Sequence, residues 1–289
     1  MPTFTDDYGV EITYYTWPVP KARAAVQLAH GVGEHAGRYA ELAQALNTAG
    51  YTVYADDHRG HGQTGLDQHG GDVSRIGRLG PGGMRAAVAG VHRLSGIIRA
   101  EQPGLPLVLL GHSWGSFMVQ MILNQHPADY DAIVLSGTAY RWPGYLDSGD
   151  LNRRHKHLGT TGVEWLSRDP AVAAAFVADP LTTTTPLAQL FGLREAARIF
   201  GRPAPGLPPE LPVLIQVGGD DTVGGERSAR MLVKAYRGRS GLRDVRLIVY
   251  PGARHEVFNE TNRREVVADL VAWLDQHFPR QADAGRPGD

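Results

Sequence analysis

A serine stands between two glycines at Gly111-His112-Ser113-Trp114-Gly115, with the apolar run Leu107–Leu110 before it and the helical spacing of Met118 and Ile122 behind it. This is the G-x-S-x-G pattern in a strand–turn–helix context. A serine at so sharp a turn holds its Oγ clear of the backbone. Flanking glycines let strand and helix approach where a Cβ would intrude, and the next N–H, that of Trp114, faces the oxygen of an attacked carbonyl at a helix N-terminus. Such a turn needs a strand with neighbours, so it points to a sheet covered by helices.

The rest of the chain fits that frame. Phe4-Thr5, the turn signal Asp6-Asp7-Tyr8-Gly9 and the alternating Val10–Tyr14 read as a hairpin. Strands are expected at Ala24–Ala29, Tyr51–Ala55, Leu107–Leu110, Ala132–Leu135, Val213–Val217 and Val245–Tyr250. Helices are expected over Arg38–Ala49, from Met84 through Val91 to Ile98, after Ser113, and around Val267–Leu274. A Gly-rich loop is expected from the second of these strands to about Gly83. The alternation predicts an α/β protein: a mainly parallel central sheet with helices on both faces. It breaks between Ser136 and Pro212, where scattered aromatics and short helical stretches replace the strands. An insertion of that length between two strands reads as a mostly helical lid. The expected organisation is a core of 1–137 and 210–280, a lid of 138–209 and a flexible tail of 281–289.

A serine hydroxyl needs a base, and the base needs an orienting carboxylate. In this arrangement the chain order is Ser, acid, His, with the last two after late strands. His255 follows the last strand and is the only histidine between His157 and His277. After Val213–Val217 comes Gly218-Gly219-Asp220-Asp221; counting from Gly218 favours Asp221 as the acid, with Asp220 as a turn or capping residue. The second oxyanion N–H should come from His30-Gly31-Val32-Gly33, and Val32 is the choice. His30 reads as a brace.

Composition removes other classes. The chain has 289 residues with 29 basic and 30 acidic side chains, so no positive field is present to hold nucleic acid. There is no cysteine, which excludes disulfides, thiol nucleophiles and Cys-based zinc sites. The acidic start without an apolar run, and the lack of any span-length apolar stretch, lead to the expectation of a cytoplasmic protein. Only Lys21, Lys156 and Lys234 are lysines among the basic residues, a bias that suggests a bacterial source. Gly31-Val32-Gly33-Glu34-His35-Ala36 followed by Asp56-Asp57 also fits a dinucleotide fingerprint. An NAD-dependent oxidoreductase is therefore the rival reading, opposed by the complete serine, acid and base set. No metal is expected: His30 and Glu34-His35 are mis-spaced for a zinc motif, and Arg153–His157 reads as a solvated basic run.

These motifs together resemble the monoglyceride lipase and lysophospholipase group of α/β-hydrolases, which is also grouped with serine aminopeptidase-like hydrolases. The matching segments are His30-Gly31 with Glu34-His35 and Arg38-Tyr39, Asp57-His58-Arg59-Gly60-His61-Gly62-Gln63-Thr64, Gly111–Gly115, Ser167–Pro170 with Asp179-Pro180, Gly218–Val223 and Gly252–His255. The resemblance implies an α/β-hydrolase fold and a carboxylic ester hydrolase with a lid and no cofactor. It supports Ser113, Asp221 and His255 as the triad and Val32 and Trp114 as oxyanion donors. The implied substrate is a small ester with an apolar acyl chain, with at most transient membrane contact through the lid. The alternative is an aminopeptidase or amidase on the same fold. The chain departs from the family at Trp114-Gly115-Ser116, where Met-Gly-Gly is common, and in the basic Arg153–His157 run of the lid.

Overall fold

The computed structural model describes residues 1–147 and 149–280; the expected tail of 281–289 lies outside the described residues. Eight strands form one sheet: β1 (Thr3–Thr5), β2 (Glu11–Trp17), β3 (Ala25–Ala29), β4 (Thr52–Asp56), β5 (Leu107–His112), β6 (Ala132–Ser136), β7 (Val213–Gly218) and β8 (Val245–Tyr250). Their order is β1-β2-β4-β3-β5-β6-β7-β8. The first hairpin and the β2–β4 pair are antiparallel, and all other neighbours are parallel. Every residue of β3, β4, β5, β6 and β7 is buried. That is why these strands read as mostly apolar runs, with only a few buried polar residues such as Gln27 and Gln216: helices cover both faces.

On one face lie α3 (Gly83–Glu101), α4 (Trp114–Leu123) and α8 (Gly225–Ala235), and on the other α1 (Ala40–Thr48) and α9 (Arg263–His277). Met84, Val91, Leu94 and Ile98 form the buried stripe of α3, and Leu270, Trp273 and Leu274 that of α9. The segment expected as a Gly-rich loop up to Gly83 contains α2 (Gly62–Gln68) and a short 3-10 turn (Val73–Arg75). Its glycines mask a helix that tertiary contacts hold. Asp57 accepts from the Gln63 N–H at 2.7 Å, and Thr64 Oγ1 accepts from the Thr13 N–H at 2.8 Å.

Between β6 and β7 no strand occurs among the described residues. The segment carries α5 (Pro170–Ala178), α6 (Leu187–Phe191) and α7 (Leu193–Ala196), joined by turns and 3-10 pieces. Asp169 caps α5 by accepting from the Ala171 N–H, and Pro170 sits at its first position. The insertion is tied down at several points. Thr183 N–H donates to Gly33 O at 2.9 Å, Glu256 N–H to Leu166 O at 2.8 Å, and Arg141 Nε to Gln120 Oε1 at 3.1 Å.

The register explains where chemistry can occur. Ala29 pairs with Gly111, so the loops after β3 and β5 leave the sheet side by side, at the point where the strand order reverses. Gly218 pairs with Tyr250, so the loops after β7 and β8 do the same.

Candidate active site

Ser113 occupies the turn between β5 and α4 with φ 52° and ψ −124°. Among the described residues only Lys21 is another non-glycine with positive φ. Such a conformation costs about 1–3 kcal/mol and persists where its surroundings impose it. Here they do. A Cβ on Gly115 would lie 2.1 Å from Ala29 O, and one on Gly111 would lie 2.7 Å from the backbone of Gly115. Ser113 N–H donates to Ser136 O at 3.0 Å. Below the turn, Ser116 Oγ donates to Ser113 O at 2.6 Å and meets Thr138 Oγ1 at 2.7 Å.

Asp221 and His255 meet as expected. His255 Nδ1 lies 3.0 and 3.1 Å from the two Asp221 oxygens, and Asp221 Oδ1 also accepts from the Val223 N–H at 2.8 Å. An Asp carboxylate at Nδ1 keeps the proton there and leaves Nε2 as the basic nitrogen. Nε2 is buried without a partner among the described residues, and His255 lines the same cavity as Ser113. Burial pulls the His255 pKa down, but Asp221, then Glu256 and Glu34, outweigh it and raise it above 6.5. The neighbouring His112 ring, 4.8 Å away, goes the other way: burial and then His255 push it to about 3, so it stays neutral. Asp220 faces outward, paired with Arg154 and 3.7 Å from His155.

Val32 also lines the cavity, and its N–H has no partner among the described residues. Trp114 N–H is the first of α4, where no intrahelical acceptor exists. The Trp114 indole is fully buried. It packs over His61 at 5.2 Å and against Phe191 at 5.1 Å, and its Nε1–H points to Met84 Sδ at 3.2 Å. His30 is the brace that was expected: its Nδ1 lies 2.7 Å from Gly31 O, and its Nε2 accepts from the His58 N–H at 3.0 Å.

One group escaped sequence reasoning. Glu34 accepts from Gly31 N–H and Tyr39 OH, both at 2.6 Å, and from Arg38 at 2.5 Å. Arg38 also grips Glu256 through two bonds, at 2.7 and 2.8 Å. A buried guanidinium thus joins the Val32 loop to the His255 loop. The i,i+4 spacing of Glu34 and Arg38 was visible; the third member, 218 residues on, was not.

The cavity holds 510 Å³ and is walled by Phe117, Leu146, Trp165, Phe176, Leu187 and Ile199. Of the aromatics of the insertion that would line an acyl pocket, Trp165 and Phe176 do so, but Trp142 and Phe191 lie elsewhere. Trp142 stacks under Arg202 at 3.7 Å and is 38% exposed, and Phe191 packs on Trp114. Phe200 lines the cavity instead. Arg153–His157 is not uniformly solvated: His155 is buried and sits against Asp220, because the loop folds back on the turn before Asp221.

Among the described residues one group of possible metal ligands comes together: His92, His126 and Asp129, within 4.8 Å. The two rings stack at 3.9 Å and 15°, which would put a shared ion out of both ring planes. Asp129 precedes β6, at the opposite end of the sheet from Ser113. No described helix is long and apolar enough to cross a membrane.

With this geometry in hand, similarity to known proteins can be placed on it. A monoacylglycerol lipase of Mycolicibacterium smegmatis is 36% identical over 283 residues, covering 93% of this chain and 95% of the relative. The monoglyceride lipase of Homo sapiens is 28% identical over 289 residues, covering 94% and 89%. The structure of a thermostable carboxyl esterase from Bacillus coagulans, in complex with glycerol, superposes with a TM-score of 0.80 at 26% identity, covering 96% of this chain and 98% of that one. The fold is that of the α/β-hydrolases. The family described as Serine aminopeptidase, S33 (Hydrolase_4) matches residues 20–262, and the chain belongs to it.

Proposed function

We propose that this protein is a serine hydrolase that cleaves carboxylic esters through an acyl-enzyme, with monoacylglycerols as its substrate class. The observation that carries the reading is the buried Asp221–His255 pair, whose Nε2 is left without a partner among the described residues in a histidine that lines the same cavity as Ser113. His255 takes the Ser113 proton as Oγ bonds to the ester carbonyl carbon. The N–H groups of Val32 and Trp114 stabilise the oxyanion. The C–O bond to the alcohol breaks as His255 returns the proton to the leaving oxygen. Water, deprotonated by the same Nε2, then releases the acid and restores Ser113.

The apolar cavity wall supports an apolar acyl chain, and the names of the relatives support glycerol as the alcohol. Residues 138–209 serve as a lid: Leu146, Trp165 and Phe176 from this segment form part of the wall over Ser113. Leu193, 81% exposed, and Phe200, 43% exposed, line the cavity while facing solvent, and suit transient contact with a lipid surface. The test is a panel of 1-monoacylglycerols of rising chain length beside aminoacyl p-nitroanilides. Ester turnover that depends on Ser113 is expected; cleavage of the anilides alone would move the assignment to an aminopeptidase.

A further inference from the structure

The charge of the cavity is one-sided. Four acidic residues line it, Glu34, Glu256, Asp147 and Asp150, and no Lys or Arg does among the described residues. Arg38, behind the wall, grips both Glu34 and Glu256, one positive charge for two negative ones. Asp147 and Asp150 have no such partner. Asp147 accepts from the Gly149 N–H at 2.9 Å and Asp150 from the Asn152 N–H at 3.0 Å, and neither meets a cation within 4.0 Å among the described residues. Both residues are exposed, on the insertion just after β6. The basic side chains nearest in sequence, Arg153 and Lys156, do not line the cavity, and Arg154 is taken by Asp220. The His112 imidazole is held neutral, and His255 must be neutral to act. A cleft lined by one sign of charge with low-dielectric walls focuses its field on whatever enters.

We infer that Asp147 and Asp150 are charge-selecting residues, which bias this cavity toward esters whose alcohol part is neutral or cationic and against esters whose alcohol part carries a phosphate. The inference rests on the ester-hydrolase reading and narrows it. An acyl chain alone does not separate a monoacylglycerol from its phosphorylated counterpart; a negative lining does. The same field drives the carboxylate product outward once the acyl-enzyme is hydrolysed.

The test uses short, soluble esters, so that aggregation of lipids plays no part: 1-butyrylglycerol, 1-butyrylglycerol 3-phosphate and butyrylcholine. Their kcat/KM values are measured for the wild type and for Asp147→Asn/Asp150→Asn, in low and high salt. In the wild type the neutral ester should exceed the phosphate ester, and salt should shrink the gap. In the double variant the phosphate-to-neutral ratio should rise about tenfold, and the choline-to-neutral ratio should fall. These opposite signs are the mark of charge, since a change of shape would not reverse between a cation and an anion. Asp147→Glu/Asp150→Glu should restore the wild-type order. A phosphate-to-neutral ratio unmoved by the double substitution, or wild-type discrimination insensitive to salt, would overturn the inference. If none of the three esters is hydrolysed while other acyl compounds are, the ester-hydrolase reading itself fails, a distinct result.

Discussion

Asp221 meets His255 Nδ1 with both carboxylate oxygens, at 3.0 and 3.1 Å, while the adjacent Asp220 turns outward to Arg154. One peptide unit separates a buried carboxylate facing an imidazole from a solvent-facing ion pair. Asp221→Asn should therefore lower kcat by about 10⁴, the scale seen when an amide at this position inverts the tautomer of a triad histidine. Asp220→Asn should stay within severalfold of wild type, since a surface pair contributes about 0–1 kcal/mol. Steady-state kinetics on a soluble ester checks both, and equal losses would count against the assignment.

Ser113→Ala should abolish turnover and labelling by a fluorophosphonate, with the circular dichroism spectrum unchanged. Labelling that persists would place the nucleophile elsewhere.

The pH dependence has a definite sign. In the proposed role of base His255 would act only when neutral, and its carboxylate neighbours raise its pKa above 6.5 despite its burial. Activity should rise with pH through one ionisation whose midpoint lies above 6.5. For stability the same shift acts in reverse. The protonated, paired histidine stabilises the fold below the unfolded pKa, and that contribution is lost as pH rises through the folded pKa. His112, held near 3, adds no second limb to the activity profile in this range. A kcat/KM profile and unfolding midpoints between pH 5 and 9 measure the two effects.

Phe176 and Trp165 line the cavity and Trp142 does not. Phe176→Ala and Trp165→Ala should raise KM more for medium-chain esters than for acetate, because each buried methylene is worth about 0.8 kcal/mol. Trp142→Ala should leave the chain-length profile flat. If all three profiles coincide with wild type, the insertion is not the acyl wall.

Asp6 and Arg59 form a buried ion pair that pins the first hairpin to the loop after β4; Arg59 also donates to Leu79 O at 3.1 Å and Pro81 O at 2.8 Å. Asp6→Ala strands a buried guanidinium and should cost about 3–5 kcal/mol of unfolding free energy. Urea denaturation measures it.

Local patterns in the chain were enough for the strand–turn–helix around Ser113, the parallel core and the insertion between two strands. These depend on short-range rules: glycines where a Cβ cannot fit, mostly apolar runs where a strand is covered on both faces, helical spacing on α3 and α9. What a pattern could not contain is which distant groups meet. The choice of Asp221 over Asp220 became a contact only when the register Gly218↔Tyr250 set the loops after β7 and β8 side by side. Arg38 reaches Glu256 for the same kind of reason, since folding alone closes a separation of 218 residues. Trp142 and Phe176 are both aromatics of one insertion, yet only packing decides that one faces Arg202 and the other lines the cavity. His155, read as solvated, is buried because its loop folds back on Asp220. Local sequence sets backbone preference and periodicity, whereas burial, charge pairing and the pKa of His255 belong to groups brought together by the fold.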